Sequence, residues 1–381
     1  MSGRNYTIDS LRAVAIFFVL IAHTLPFRGM GDYGNHIFFV LDSVGMFDVP
    51  LFFVISGYFL AAKLDTATLR PYVRSTVVKL GSMYLFGTAC FLSVRAVLLT
   101  GGTFVNDRGI VGPVTAGLRE VLTPAGIGNL LYYGDIIVSP LWFLTALIFA
   151  ICLVAMFVAL EKDRYILPAA AALHLIGLVA QSGGGVPFPT RDALFFGFFY
   201  VALGYHIQSA DWQPDRRRSR LYLAAFLVLV GIQVAEIYAV HYLLGDAVLG
   251  QTVVTPEYTF TTVPLVLALF GYALSNPTVG EETRLPEIGE HAVGVYLLHY
   301  PMLELFDTLV VIVEMSVGVD ITVFVLWQLL LTPAVYLASL LAYVGLVRTG
   351  VVEMGGSHIP RLGRIRNRLG GRSDSRTMPS D

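Results

Sequence analysis

The chain has 381 residues, of which 56% are hydrophobic and 14% charged, with a formal net charge of -2. About a quarter of an ordinary soluble chain is charged, so this one lacks the polar surface to cover a globule. The mean hydropathy of +0.71 and the recurrence of apolar runs near twenty residues long predict an all-α, polytopic membrane helix bundle.

Hydropathy predicts about ten spans, at approximately 8–26, 37–61, 73–99, 140–160, 164–181, 191–208, 220–243, 259–275, 288–312 and 321–347. The first does not read as a cleavable signal peptide: its apolar part is long, it carries internal charges, and no small-residue cleavage site follows. With ten spans, twenty of the 25 basic residues fall on the side of the N-terminus. The other side receives Arg28, Arg95, Arg108, Arg119 and Arg191. That bias predicts both termini in the cytoplasm and a multi-pass protein of the cytoplasmic membrane. Residues 1–348 are expected to form one membrane domain. Residues 349–381 are expected to be a basic, disordered cytoplasmic tail touching anionic lipid headgroups. Nothing elsewhere in the chain supports nucleic acid as a partner. The longest connection, about 100–139, is expected outside, with a short interfacial helix over Val114–Leu122. Cys90 and Cys152 fall within spans and read as packing residues, and no metal site is expected.

The first span carries Asp9, Arg12 and His23. Ionisable side chains inside a span are costly and mark functional sites by default. Arg12 and His23 are eleven positions apart, about three turns or 16 Å along one face, with Asp9 one turn before Arg12. A lone membrane histidine commonly serves as an interhelical hydrogen-bonding group; the alignment of the three favours a site facing the protein interior. In the second span Asp48 is an acid near mid-membrane that needs a partner, and Ser56-Gly57 permits close approach of a helix or ligand. Arg70, Arg74 and Lys79 open the third span as a cationic cluster suited to phosphates, although plain positive-inside topology explains them equally well. In the ninth span Tyr296 and His299 lie one turn apart, with Pro301 expected to bend the helix just after. His174, His206, Glu236, His241 and Glu304 are weaker candidates.

Four elements in order resemble the acyltransferase-3 family of integral membrane acyltransferases. They are the Arg-x10-His pattern at Arg12 and His23, the stretch Asp48–Tyr58 with its Phe-Phe-x-Ile-Ser-Gly-aromatic signature, Leu141-Trp142-Phe143-Leu144, and Tyr296-Leu297-Leu298-His299-Tyr300-Pro301. They span about residues 6–302. The sequence departs from the family after the second span, where the usual basic run and proline are reduced to Arg74 through Lys79 without a proline. No extracellular hydrolase-like domain is expected after the membrane domain.

The resemblance implies transfer of an acyl group, acetyl first, from cytoplasmic acyl-CoA to a hydroxyl of a carbohydrate or glycolipid. It implies that Arg12, Arg74 and Lys79 hold the coenzyme A phosphates. His23 would be the general base or the transient acyl carrier, with Asp48 orienting its imidazolium. Asp9, Ser56, Trp142, Tyr296 and His299 are expected to line the cavity, Trp142 offering an aromatic acceptor surface and Tyr296 and His299 facing the developing oxyanion. The alternative is a transporter or flippase for a polar or lipid-linked solute, in which intramembrane ionisable residues are equally at home.

Overall fold

The first helix, α1 (Tyr6–Thr24), starts where the Asn5 side chain accepts the Ile8 amide at 3.0 Å, satisfying one of the helix's orphan donors. It stops where Leu25 turns into the left-handed region at φ 50°. The computed structural model describes residues 4–64, 68–100, 123–135, 137–182, 190, 192–256, 259–354, 356 and 358. The interfacial helix expected at 114–122 and nearly all of the basic tail lie outside those residues.

The regular elements that follow are all helical: α2 (Gly31–Gly45), α3 (Asp48–Ala61), α4 (Leu69–Thr100), α5 (Pro124–Tyr132), α6 (Trp142–Ala159), α7 (Ile166–Ser182), α8 (Phe198–Ser209), α9 (Ser219–Tyr238), α10 (Thr262–Ser275), α11 (Leu285–Glu290), α12 (Ala292–Val317) and α13 (Val325–Thr349). Eight helical runs among the described residues are long and apolar enough to cross a membrane, and they coincide with eight of the predicted spans. The other two predicted spans are also helical but shorter: α8, entered through a π-helical turn at Ala193–Gly197, and the 14-residue α10. The chain is therefore an all-α, multi-pass membrane protein.

The second predicted span differs most from expectation. It is two helices, α2 and α3, meeting at Met46-Phe47, and Asp48 stands in the first turn of α3 rather than in mid-helix. Its Oδ1 accepts the Val49 amide at 2.5 Å, where a carboxylate satisfies a free N–H and complements the helix dipole. The helix break thus accommodates an acid that an unbroken span would have to carry unpaired. The ninth span runs as one helix, α12, straight through Pro301 to Val317.

Two close approaches fix the bundle around α1. Its start is tied to the loop and short helix before α12: Tyr6 N–H donates to the Pro277 carbonyl at 2.8 Å, and Thr7 Oγ1 accepts from Val279 N at 3.0 Å. A Cβ on Gly289 of α11 would sit 1.8 Å from the Asp9 carbonyl oxygen, so α1 and α11 touch backbone to backbone. The second approach is the α3–α8 crossing, where a Cβ on Gly57 would lie 2.0 Å from the Val201 carbonyl, and one on Gly204 would lie 2.0 Å from the Val54 carbonyl. Small residues allow this contact, as the Ser56-Gly57 pair predicted.

Gly57→Ala therefore lowers the thermal midpoint of the purified protein, by the equivalent of at least about 1–3 kcal/mol of overpacking. Gly231→Ala, at an open position of α9, leaves the midpoint unchanged or raises it. Equal midpoints for wild type and Gly57→Ala, measured by scanning fluorimetry in detergent, would contradict the crossing.

Candidate active site

Buried residues of α1 include Ile8, Ala15, Ile16, Val19 and Leu20, and its ionisable side chains are Asp9, Arg12 and His23. At its start, Asp9 lies between two cations. Its Oδ2 accepts from Arg4 Nε at 2.9 Å and its Oδ1 from Arg12 Nη1 at 3.4 Å, while Arg4 Nη2 also meets Glu290 Oε1 at 2.7 Å. The carboxylate is taken up by these cations and is absent from the cavity walls described below. Asp9 was expected to line the cavity; it instead holds the guanidinium that does.

Two cavities meet at the other end of α1. The first, of about 420 Å³, runs along α1 between α3, α4, α6 and α12. Its wall includes Arg12, Lys63 and Lys79 toward the α1 N-terminal end, and His23, Trp142 and Tyr296 toward the other. Between them lie the apolar side chains of Phe52, Ile55, Leu144 and their neighbours. The second cavity, of about 280 Å³, also reaches His23 and includes Arg28, Asp42, Asp48, Trp142 and Phe196 in its wall. Val19, His23, Val49 and Trp142 belong to both walls. His23 is thus exposed to two spaces of different character, a long apolar channel with a basic end and a smaller chamber carrying two carboxylates, one arginine and aromatic rings.

The predicted residues fall into this geometry unevenly. Arg12, His23, Ser56, Lys79, Trp142 and Tyr296 line the first cavity, and Asp48 lines the second. The Ser56 hydroxyl donates to the Phe52 carbonyl at 2.7 Å, so it contributes a small wall position more than a free polar group. Arg74 is exposed on the first turns of α4, outside either wall. Lys63, two residues past the end of α3, lines the wall where Arg74 was expected. The Tyr296 hydroxyl donates to the Pro140 carbonyl, which ties α12 to the turn that starts α6. His299 is 1% exposed and lines neither cavity; its ring centre is 5.1 Å from that of His23. Asp48 shares a cavity with His23 while its carboxylate holds the Val49 amide.

The weaker candidates have local roles. Glu236 accepts the Phe260 and Thr261 amides at 2.7 and 2.9 Å, capping the approach to α10. Glu304 pairs with Arg95 at 2.8 Å across α12 and α4. His174 stacks on Phe199 with ring centres 4.3 Å apart and its Nδ1 on the Phe195 carbonyl, within an aromatic cluster. His206 is exposed on α8. Arg28, Asp42 and Lys63 are site residues that the sequence reading did not single out. Arg28 and Lys63 are exposed side chains of turns, and Asp42 stands near the end of α2, so no motif marks any of the three.

The model of the Acyl_transf_3 family, described as an acyltransferase domain, matches residues 5–344. Among curated proteins, a serine/alanine racemase of Enterococcus gallinarum is 26% identical over 256 residues, covering 62% of this chain and 33% of that protein. An amino-acid racemase of Enterococcus faecalis is 24% identical over 238 residues, covering 58% of this chain and 30% of that protein. The chain spans about a third of the length of these two relatives. No solved structure matches. The family match contains all four of the ordered motifs and both cavities, and it makes this chain a member of the Acyl_transf_3 family of acyltransferases.

Proposed function

We propose that this protein is a membrane O-acyltransferase moving an acyl group, acetyl first, from cytoplasmic acyl-CoA to a hydroxyl of a carbohydrate or glycolipid at the opposite face of the cytoplasmic membrane. One observation carries the reading: His23 stands where a basic-ended apolar channel meets a separate acidic and aromatic chamber. Each substrate then has its own approach to one imidazole.

Arg12, Lys63 and Lys79 fit the donor's phosphates, since guanidinium and ammonium groups recognise phosphate through charge-assisted hydrogen bonds. The excess of basic residues on this side supports a cytoplasmic location for that end. The stretch from Arg12 to His23, about 16 Å of helix, gives an extended thiol-bearing arm the length to bring a thioester to the imidazole. Phe52, Ile55 and Leu144 exclude water along the way. On the other side, Trp142 and Phe196 offer flat apolar faces, and Asp42 and Asp48 offer hydrogen-bond acceptors. That mixture suits a sugar ring, apolar on its faces and rich in hydroxyl donors at its edge.

In the direct route, His23 takes the proton of the acceptor hydroxyl as its oxygen bonds to the thioester carbonyl carbon. The C–S bond then breaks, and His23 returns the proton to the departing sulfur, leaving an ester and a free thiol. In the two-step route, a His23 nitrogen bonds to the thioester carbonyl carbon as the C–S bond breaks and the thiol leaves with a proton; the acceptor hydroxyl then bonds to that carbon, the C–N bond breaks, and the hydroxyl proton passes to the freed imidazole. The direct route is preferred, and trapped label on the protein would decide for the other. The racemase names of the relatives belong to proteins of which this chain spans about a third, and racemisation is no part of the reading.

His23→Ala abolishes transfer of radiolabelled acetyl from acetyl-CoA to the glycan or lipid fraction of inverted vesicles, a loss of about 10²–10⁴-fold or more, with acyl-CoA binding retained. Near-normal turnover in His23→Ala, or solute uptake with no label transfer by the wild type, would contradict the assignment. Lys63→Gln and Lys79→Gln each raise the KM for acetyl-CoA by about tenfold, the cost of one charge-assisted contact, with little change in kcat; Arg74→Gln changes it less. Trp142→Ala and Asp48→Asn raise the KM for the acceptor rather than for acetyl-CoA, and steady-state kinetics with each substrate varied in turn distinguishes the two classes.

A further inference from the structure

We propose that His299 is the positioning residue for His23, its unprotonated Nε2 standing where a serine-hydrolase triad has its carboxylate. This rests on the reading of His23 as the group that handles the acceptor's proton.

The protonation of His299 follows from its contacts. Nδ1 lies 2.6 Å from the Tyr296 carbonyl oxygen. A carbonyl has only lone pairs to offer, so Nδ1 carries the hydrogen and donates it. In the neutral ring Nε2 is then a bare acceptor. Nε2 is fully buried and makes no hydrogen bond. Native structures rarely leave a buried polar atom unsatisfied, and one that persists asks for a functional account.

The surroundings supply that account. The His299 ring centre is 5.1 Å from that of His23, with the planes tilted by 41°. At that separation two imidazoles turned nitrogen to nitrogen come within hydrogen-bond reach, about 2.9 Å, so with His299 held by Tyr296 it is the His23 ring that turns. Catalytic hydrogen bonds are commonly long in the absence of substrate and tighten when it binds. Tyr300 packs edge-on to both imidazoles, 6.1 Å from His23 and 6.3 Å from His299. The anchor is itself anchored, because the Tyr296 hydroxyl is bound to the Pro140 carbonyl and its ring meets Phe143 at 5.7 Å. His299 therefore has one nitrogen locked to a fixed helix turn and the other turned out of that bond, in a water-poor setting beside the reacting imidazole.

A general-base imidazole needs one nitrogen free for the substrate and its other N–H held by an acceptor. Asp48 was expected in that role; its Oδ1 accepts the Val49 amide at the start of α3 and it lines the second cavity with Asp42 and Arg28, while the His299 Nε2 is an acceptor beside the His23 ring. His299 lines neither cavity, so it acts through His23 and not on either substrate. His174 provides the contrast within the same chain. It too is buried with Nδ1 on a main-chain carbonyl, but its ring neighbours are Phe196, Phe199 and Tyr200.

Two substitutions separate the two nitrogens. In His299→Asn the side-chain amide can keep the Nδ1-type bond to Tyr296, while nothing remains at the Nε2 position. In His299→Gln the longer amide can place its oxygen near Nε2 and forgo the Tyr296 bond. The proposal predicts that Asn lowers kcat about 10–100-fold with both KM values within about threefold of wild type, and that Gln retains more of kcat than Asn. His174→Gln, as control, leaves kcat unchanged. Size-exclusion profile and thermal midpoint in detergent certify the folded state of each variant. If Asn equals or exceeds Gln in kcat, the Tyr296 bond is what matters and His299 is a packing residue. That order would overturn the proposal while leaving transfer by the wild type and its loss in His23→Ala intact. A wild type that transfers no acyl group overturns both this proposal and the reading it rests on.

Discussion

The cost of placing ionised and polar side chains inside an apolar bundle governs the structure, and α1 bears most of that cost. Arg12 and His23 sit on a helix whose buried positions beyond Thr7 and Ser10 of the first turns are Ala, Ile, Val and Leu. Neither is tolerated against lipid, so α1 is packed centrally, against α2, α3, α11, α12 and α13. The charge of Arg12 is met by Asp9, which is in turn shared with Arg4, and Arg4 reaches Glu290 on α11. This alternation of signs ties the start of the reactive helix to the helix preceding α12. The backbone contact at Gly289 and the bonds to Pro277 and Val279 make the same junction rigid. The outcome is a guanidinium and an imidazole held at fixed height on one wall of a channel.

Facing that wall, the glycine crossing of α3 on α8 sets the depth of the channel. Gly57 and Gly204 bring the two helices into backbone contact, which fixes where α3, with Val49, Phe52 and Ser56 on the channel, stands relative to α1. Because α3 begins anew at Asp48, its first turn opens toward the second chamber while the rest of it lines the first. Helix break, glycine crossing and central α1 together give two cavities that share His23, Val19, Val49 and Trp142 as their common wall.

Much of this was legible in the sequence, and the parts that were share one property: they depend on a single helix. Hydropathy marks the spans because each carries its own apolar run, and the eleven-residue spacing of Arg12 and His23 fixes a common face whatever surrounds it. Gly57 signalled a close approach for the same reason. What escaped depends on how helices meet. Arg74 and Lys63 are both cationic and both stand near the ends of their helices on one side of the bundle; the placement of α3, and not any local signal, puts Lys63 just after it at the channel and leaves Arg74 outside. Asp9 reads as a cavity acid on a helical wheel until Arg4 is seen on its other side. His299 shares a motif with Tyr296, yet one lines the channel and the other backs onto His23, a difference set by the rotation of α12. Asp48 falls in the middle of an apolar run; the break at Met46-Phe47 that puts it in the first turn of α3 is flanked by Gly45 and Pro50, a signal that hydropathy alone passes over.

The central claim is that donor and acceptor reach one imidazole from opposite faces. It is tested most directly by sided transfer in sealed proteoliposomes of known orientation, with acyl-CoA, which does not cross the bilayer, supplied to one face at a time. The account predicts acylated acceptor only when acyl-CoA is on the face that bears the N-terminus, Lys63 and Lys79. Transfer from the opposite face, or equally from both, would contradict it.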